Sequence, residues 1–157
     1  MTIAVAEEWV ERPLRDFVTE ARVLLALLLH PSGQVLAQHG FTRAVDVMSA
    51  CALAAAIHAS SGELGKQLDG KPFNVLHHAG KERQIFLAPA ATRDSRFILL
   101  AVFDRQSSLG LVQLYFEELR AALGRAAPTA PVERPPVLAT DFEGELNRNL
   151  AALFGRT

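Results

Sequence analysis

The side chains best suited to bind a metal or attack a substrate are five histidines and one cysteine. Their spacing argues against both roles. His77 and His78 adjoin on an expected strand, where successive side chains leave opposite faces, so their rings cannot close on one ion. No run of carboxylates or cysteines stands beside them. Cys51 lies inside the alanine-rich stretch RAVDVMSACALAAAIHASS and reads as a small buried apolar residue rather than a nucleophile. Neither G-x-S-x-G, a P-loop nor G-x-G-x-x-G occurs. Arg93-Asp94-Ser95-Arg96 and Phe103-Asp104-Arg105 put charges at strand ends, where solvated loops account for them. Arg43, Asp46 and His58 share one helix and read equally as its wet edge or as contacts for a partner. The sequence therefore predicts no catalytic residue, no metal site and no cofactor.

Bulk properties point the same way. The 157 residues suit one domain with an appendage, and half are apolar, enough for a sizeable core. Sixteen basic and seventeen acidic residues give a net charge of −1, which draws the chain neither to nucleic acid nor to anionic lipid. One cysteine excludes an intrachain disulfide and fits a reducing compartment. The start, MTIAVAEEWVERPL, carries acidic residues where a signal peptide carries basic ones. The most apolar stretch, Ala44–Ala59, is shorter than the ~20 residues of a bilayer span. A soluble, cytoplasmic protein is expected.

The elements that must position these residues follow from periodicity. Val10, Leu14, Phe17, Val18 and Ala21 form one stripe of an amphipathic helix, with Pro13 either starting or kinking it. LLLHPSGQVLAQHG then reads as a β-hairpin whose turn, His30-Pro31-Ser32-Gly33, wants a left-handed glycine. A three-residue loop of this kind pairs Leu28 with Leu36 and Ala26 with Gln38. His30 and His39 then point to opposite faces, and Leu25, Leu27, Leu29, Val35 and Ala37 share one. Residues 43–61 read as a helix apolar on two faces, which must bury both.

A looser stretch with Gly62, Gly65 and Gly70 is expected next. Strands Pro72–His78, Arg83–Ala88 and Arg96–Phe103 follow, the last most hydrophobic and so central. Ser107 or Ser108 caps a helix through Gly124, with Leu111, Leu114, Tyr115, Leu119, Ala122 and Leu123 on its buried side. The stretch to Leu138 is proline-rich and reads as a linker. Thr140 and Glu143 fit a capping box, and Phe142, Leu146, Leu150, Leu153 and Phe154 line one side of a terminal helix.

The hairpin, the alanine-rich helix and the block ILLAVFDRQSSLGLVQLYFEELRAAL together resemble the Roadblock/dynein light-chain family, and within it the bacterial MglB-like branch. The resemblance spans about Arg22 to Leu123. It implies an α+β fold: an α/β/α sandwich with a five-stranded antiparallel sheet in the order α-β-β-α-β-β-β-α, plus a C-terminal amphipathic helix. The domains implied are 1–124, a linker 125–139 and a terminal helix 140–157.

The resemblance further implies a homodimer joined through an edge strand, with Ala54, Ile57, Phe73, Val75 and His77 in its interface. The implied partner is a small Ras-like GTPase of the MglA type, governing cell polarity and motility, whose own catalytic residues are repositioned without an arginine finger. Its contacts would be Arg43, Asp46, Val47, Ala50, Ala54, Ile57, His58, Phe142, Leu146, Leu150, Leu153 and Phe154. Two other readings stay open: a non-catalytic dimeric scaffold of the dynein light-chain type, and a small-ligand sensor.

Overall fold

The computed structural model describes residues 8–43, 45–128 and 148–149. Its elements are α1 (Glu8–Ala21), β1 (Leu25–Leu29), β2 (Val35–Gly40), α2 (Val47–Asp69), β3 (Leu76–Ala79), β4 (Gln84–Ala91), β5 (Arg96–Phe103) and α3 (Leu109–Ala126). The strands form one sheet in the order β2-β1-β5-β4-β3, every neighbouring pair antiparallel. β5 is the central strand, as its long apolar run predicts.

Covering both faces of the sheet explains why its strands are apolar throughout. All five residues of β1, LALLL, are buried, and each fully buried leucine contributes about 1.5–3 kcal/mol. Leu25, Leu27 and Leu29 face α2 together with Leu87, Ile98 and Leu100. Ala26 and Leu28 face α1 and α3 with Phe86, Leu99 and Phe103. From α1 come Val10, Leu14, Phe17 and Ala21, the expected stripe, with Pro13 inside the helix rather than at its start. Ser107 donates its hydroxyl to the Ala21 carbonyl and so ties the entry of α3 to the exit of α1.

The hairpin departs from its expected register. Leu29 pairs with Val35 as the turn requires, and Gly33 adopts φ +95°. A bulge then inserts Leu36, so Leu28 pairs with Ala37 and Ala26 with His39. The extra residue reverses the faces beyond it. Ala37 packs on the α1/α3 side, and His39 stands across from Ala26 rather than on the Leu25 face.

Two more boundaries move. The helix expected at 43–61 begins after the Asp46 cap and runs on to Asp69, taking in Gly62 and Gly65. Gly65 stays there because Lys71–Phe73 folds back against it; a Cβ would collide with the Phe73 amide nitrogen. The strand expected at Pro72–His78 shrinks to Leu76–Ala79: residues 72–75 do not pair with β4, and Pro72 and Phe73 lie against Gly62 and Gly65 of α2 instead.

The buried row of α3 is Val112, Phe116, Leu119 and Leu123, while Leu114 is more than half exposed and Leu111, Tyr115 and Ala122 are half-buried. Phe116 selects this row by packing edge-on against Phe86, with centroids 5.3 Å apart. The chain divides into two units, Met1–Ala127 and Pro128–Thr157. Most of the expected linker and terminal helix, including Phe142, Leu146, Leu150, Leu153 and Phe154, lies outside the described residues.

Candidate functional site

α2 is anchored at its start by Asp46. The carboxylate accepts from the Ser49 amide at 3.1 Å and from the Ser49 hydroxyl at 2.8 Å, satisfying one of the helix's unpaired N–H groups. These bonds, the backbone one first, hold the Asp46 carboxyl below its usual pKa. The inward row of α2 is small: Cys51, Ala54, Ala55 and Gly65 are buried. Val47, Ala50 and Ile57 are half-buried and pack on the sheet beside them. Small residues let the helix lie close to the leucine-rich face below.

The outward row is the unusual one. Leu53, Leu64 and Leu68 are each more than half exposed, Leu68 reaching 70 %, and the exposed Met48 stands on the other flank of the helix. Ala52, Ala56 and Ala59 are exposed among them. Phe73 extends this surface where its chain crosses Gly65. So large an apolar share on one helix face marks a surface that meets another surface. By length and composition alone, α2 would also suffice to cross a membrane, but its inner side lies on the sheet.

β3 is an edge strand with no second neighbour among the described residues. Phe73 stands on the α2 side of this edge. Val75 lines a cleft with Phe86 and Phe116 on the α3 side. His77 also turns to that side: it pairs with Phe86, stacks on Phe103 with centroids 6.0 Å apart, and shares a 2.7 Å hydrogen bond with Gln84. The three residues share an edge rather than a face. His78 pairs with Ile85 on the α2 side, so the two histidines diverge.

Arg43 and Asp46 are exposed ahead of α2, and His58 is half-buried along it. Ala54 is 4 % exposed and packs into the core, so it is not presented to a partner by this chain. That corrects its place among the contact residues; the helix is rotated so that Leu53, not Ala54, looks outward. Leu64 and Leu68 fell outside the expected helix because Gly62 and Gly65 hid its second half, and without them Leu53 showed no row to belong to. The i, i+11, i+15 spacing of those leucines carried the signal.

Chemically reactive groups are quiet here. Burial pushes the Cys51 thiol up to about 11, so it stays protonated at neutral pH. The His58 Nε2 is buried without a hydrogen-bond partner, and desolvation lowers its pKa. Among the described residues, no three His, Cys, Asp or Glu side chains cluster to hold a metal.

No protein-family model and no curated protein matches this sequence. Solved structures do. MglB of Myxococcus xanthus is 26 % identical with a TM-score of 0.68, over 76 % of this chain and 96 % of that one. The gliding protein MglB of Thermus thermophilus is 26 % identical with a TM-score of 0.69, over 83 % and 96 %. The chain has a Roadblock-type fold of the MglB kind. A Roadblock/LC7 domain of Streptomyces avermitilis, 18 % identical with a TM-score of 0.59 over 74 % and 93 %, shares the fold. Among the described residues, the outward face of α2 is uncovered, and β3, like β2 on the other side, is an edge of the sheet.

Proposed function

We propose that this chain is a homodimeric, cytoplasmic regulator of a small Ras-like GTPase of the MglA type. It acts as a GTPase-activating protein in cell polarity or motility and has no active site of its own. The observation behind this reading is the uncovered apolar face of α2 beside the open edge of β3, in an MglB-like fold.

Two copies pairing edge to edge at β3 would continue the sheet and bring their α2 helices side by side. Leu64, Leu68 and Phe73 would then be covered, and the first half of each α2 left to meet the GTPase. Arg43, Asp46, Val47, Ala50, Ile57 and His58 stand on or beside that half. α2 contains no arginine, so stimulation comes from ordering the GTPase's own switch loop and aligning its attacking water.

Single-turnover GTP hydrolysis by the cognate GTPase, with and without this protein, tests the reading. A faster rate is expected, and alanine at Arg43, Arg83, Arg93, Arg96 or Arg105 singly leaves most of it. Tight binding with an unchanged rate would make the chain a scaffold instead. A thousandfold loss from one arginine, with binding kept, would point to an arginine finger.

A further inference from the structure

On the side of the sheet away from α2, a cleft runs between α1 and α3. One part, about 250 Å³, lies between Asp16–Glu20 and Tyr115–Leu119. It continues into a second part of about 370 Å³ between Glu8–Pro13 and the last turn of α3, the two parts sharing Pro13, Asp16, Ala122 and Arg125. Each part has one half-buried aromatic: Trp9, tilted on Phe97 at 6.3 Å, and Tyr115. Charge is graded along it. Among the described residues, Asp16, Glu20 and Glu118 outnumber Arg125 at the Tyr115 end, with Arg15 lying 4.0 Å from Asp16 beside it, whereas at the Trp9 end Glu8 and Asp16 are balanced by Arg12 and Arg125.

We propose that this cleft is a docking site for a proline-rich segment of a partner protein that carries basic residues at one end. The partner's proline rings sit on Trp9 and Pro13, and its arginine or lysine meets the Asp16, Glu20 and Glu118 carboxylates. Polyproline II helices suit such sites, because they are already ordered and dock between aromatic side chains. The dimensions agree. Glu8 to Glu20 spans about 18 Å of helix at 1.5 Å per residue, the length of roughly six residues at 3.1 Å each in polyproline II form. The acidic end selects a cation and fixes the direction of the peptide. This chain's own proline-rich stretch places Glu133 beside Arg134 and so brings no net charge to that end. The proposal is independent of the α2 face.

Trp9 is the only tryptophan in the sequence, so its fluorescence in the full-length protein reports on the cleft alone. The probe is a short proline peptide ending in two arginines. A saturable change in Trp9 emission is expected, weakened at least ~10-fold by Asp16→Lys or Glu118→Lys and unaffected by Lys81→Ala. Circular dichroism confirms that the exposed-site variants stay folded. The proposal is overturned by no saturable change in the unsubstituted protein. It is equally overturned if a peptide ending in two glutamates, or two arginines on a glycine-serine chain, binds as well. A response seen only after truncation beyond Ala127 would also overturn it, by assigning the cleft to the chain's own segment.

Discussion

His58 is the residue whose environment disagrees most with its chemistry: its Nε2 is buried with no partner, and burial disfavours the imidazolium. The folded pKa lies below the unfolded value of about 6.5, so the unfolded chain binds more protons between the two. Stability is therefore expected to fall as pH drops below about 6.5 and to level off once the lowered folded value is passed. Urea melts of the wild type and His58→Leu between pH 7.5 and 5 test this; the two midpoints should diverge with falling pH, and parallel curves would refute it. Cys51 gives a second prediction. Its buried, protonated thiol should resist a maleimide reagent in the native protein and react fully in denaturant. Rapid native labelling would contradict the burial. Cys51 was legible as quiet from its setting in an alanine-rich helix, whereas His58 read as the helix's wet edge or a partner contact; its missing hydrogen-bond partner was not legible, because hydrogen-bond satisfaction depends on what the fold brings near.

At the level of elements, α2 separates folding from association by its two rows. Ala54→Glu buries an unpaired carboxylate against the sheet, which costs at least ~3 kcal/mol and should lower Tm sharply. Leu53→Glu or Leu64→Glu, on the outward row, should leave the fold near wild-type stability yet weaken self-association or GTPase binding. Thermal melts with light scattering distinguish the outcomes: if Leu64→Glu lost stability as Ala54→Glu does, the assignment of the two rows would be wrong. The sequence showed that α2 was apolar on two faces. It did not show which face was which, since alanines occur on both and the rotation is fixed by the leucine-rich surface beneath. The bulge at Leu36 was equally unreadable: a register slip leaves local pattern unchanged and is decided by pairing across strands.

The whole molecule brings a covered sheet, an open edge and a tail into one chain. Residues 140–155, expected to form a recognition helix, lead to a further prediction. Truncation after Leu138 should weaken GTPase binding while leaving Tm unchanged, because a tethered helix raises its own effective concentration at the partner. A fall of several degrees in Tm with unchanged affinity would make the tail structural instead. Light scattering of the full chain should give twice the 17.1 kDa monomer mass; a folded monomer at micromolar concentration would remove the dimer. By itself, the sequence determined the order of elements, the central place of β5 and the double coverage of the sheet. Those properties follow from hydrophobic period and turn chemistry, which are local and survive in a one-dimensional reading. Tertiary structure alone decided where α2 ends, which of its faces looks outward, and that Phe73 lies on one side of the β3 edge while Val75 and His77 lie on the other. It also brought Trp9 and Tyr115, far apart in the chain, into one cleft. These outcomes depend on contacts between distant segments, such as Phe73 against Gly65 and Phe116 against Phe86, whose energy appears only once the chain has closed on itself.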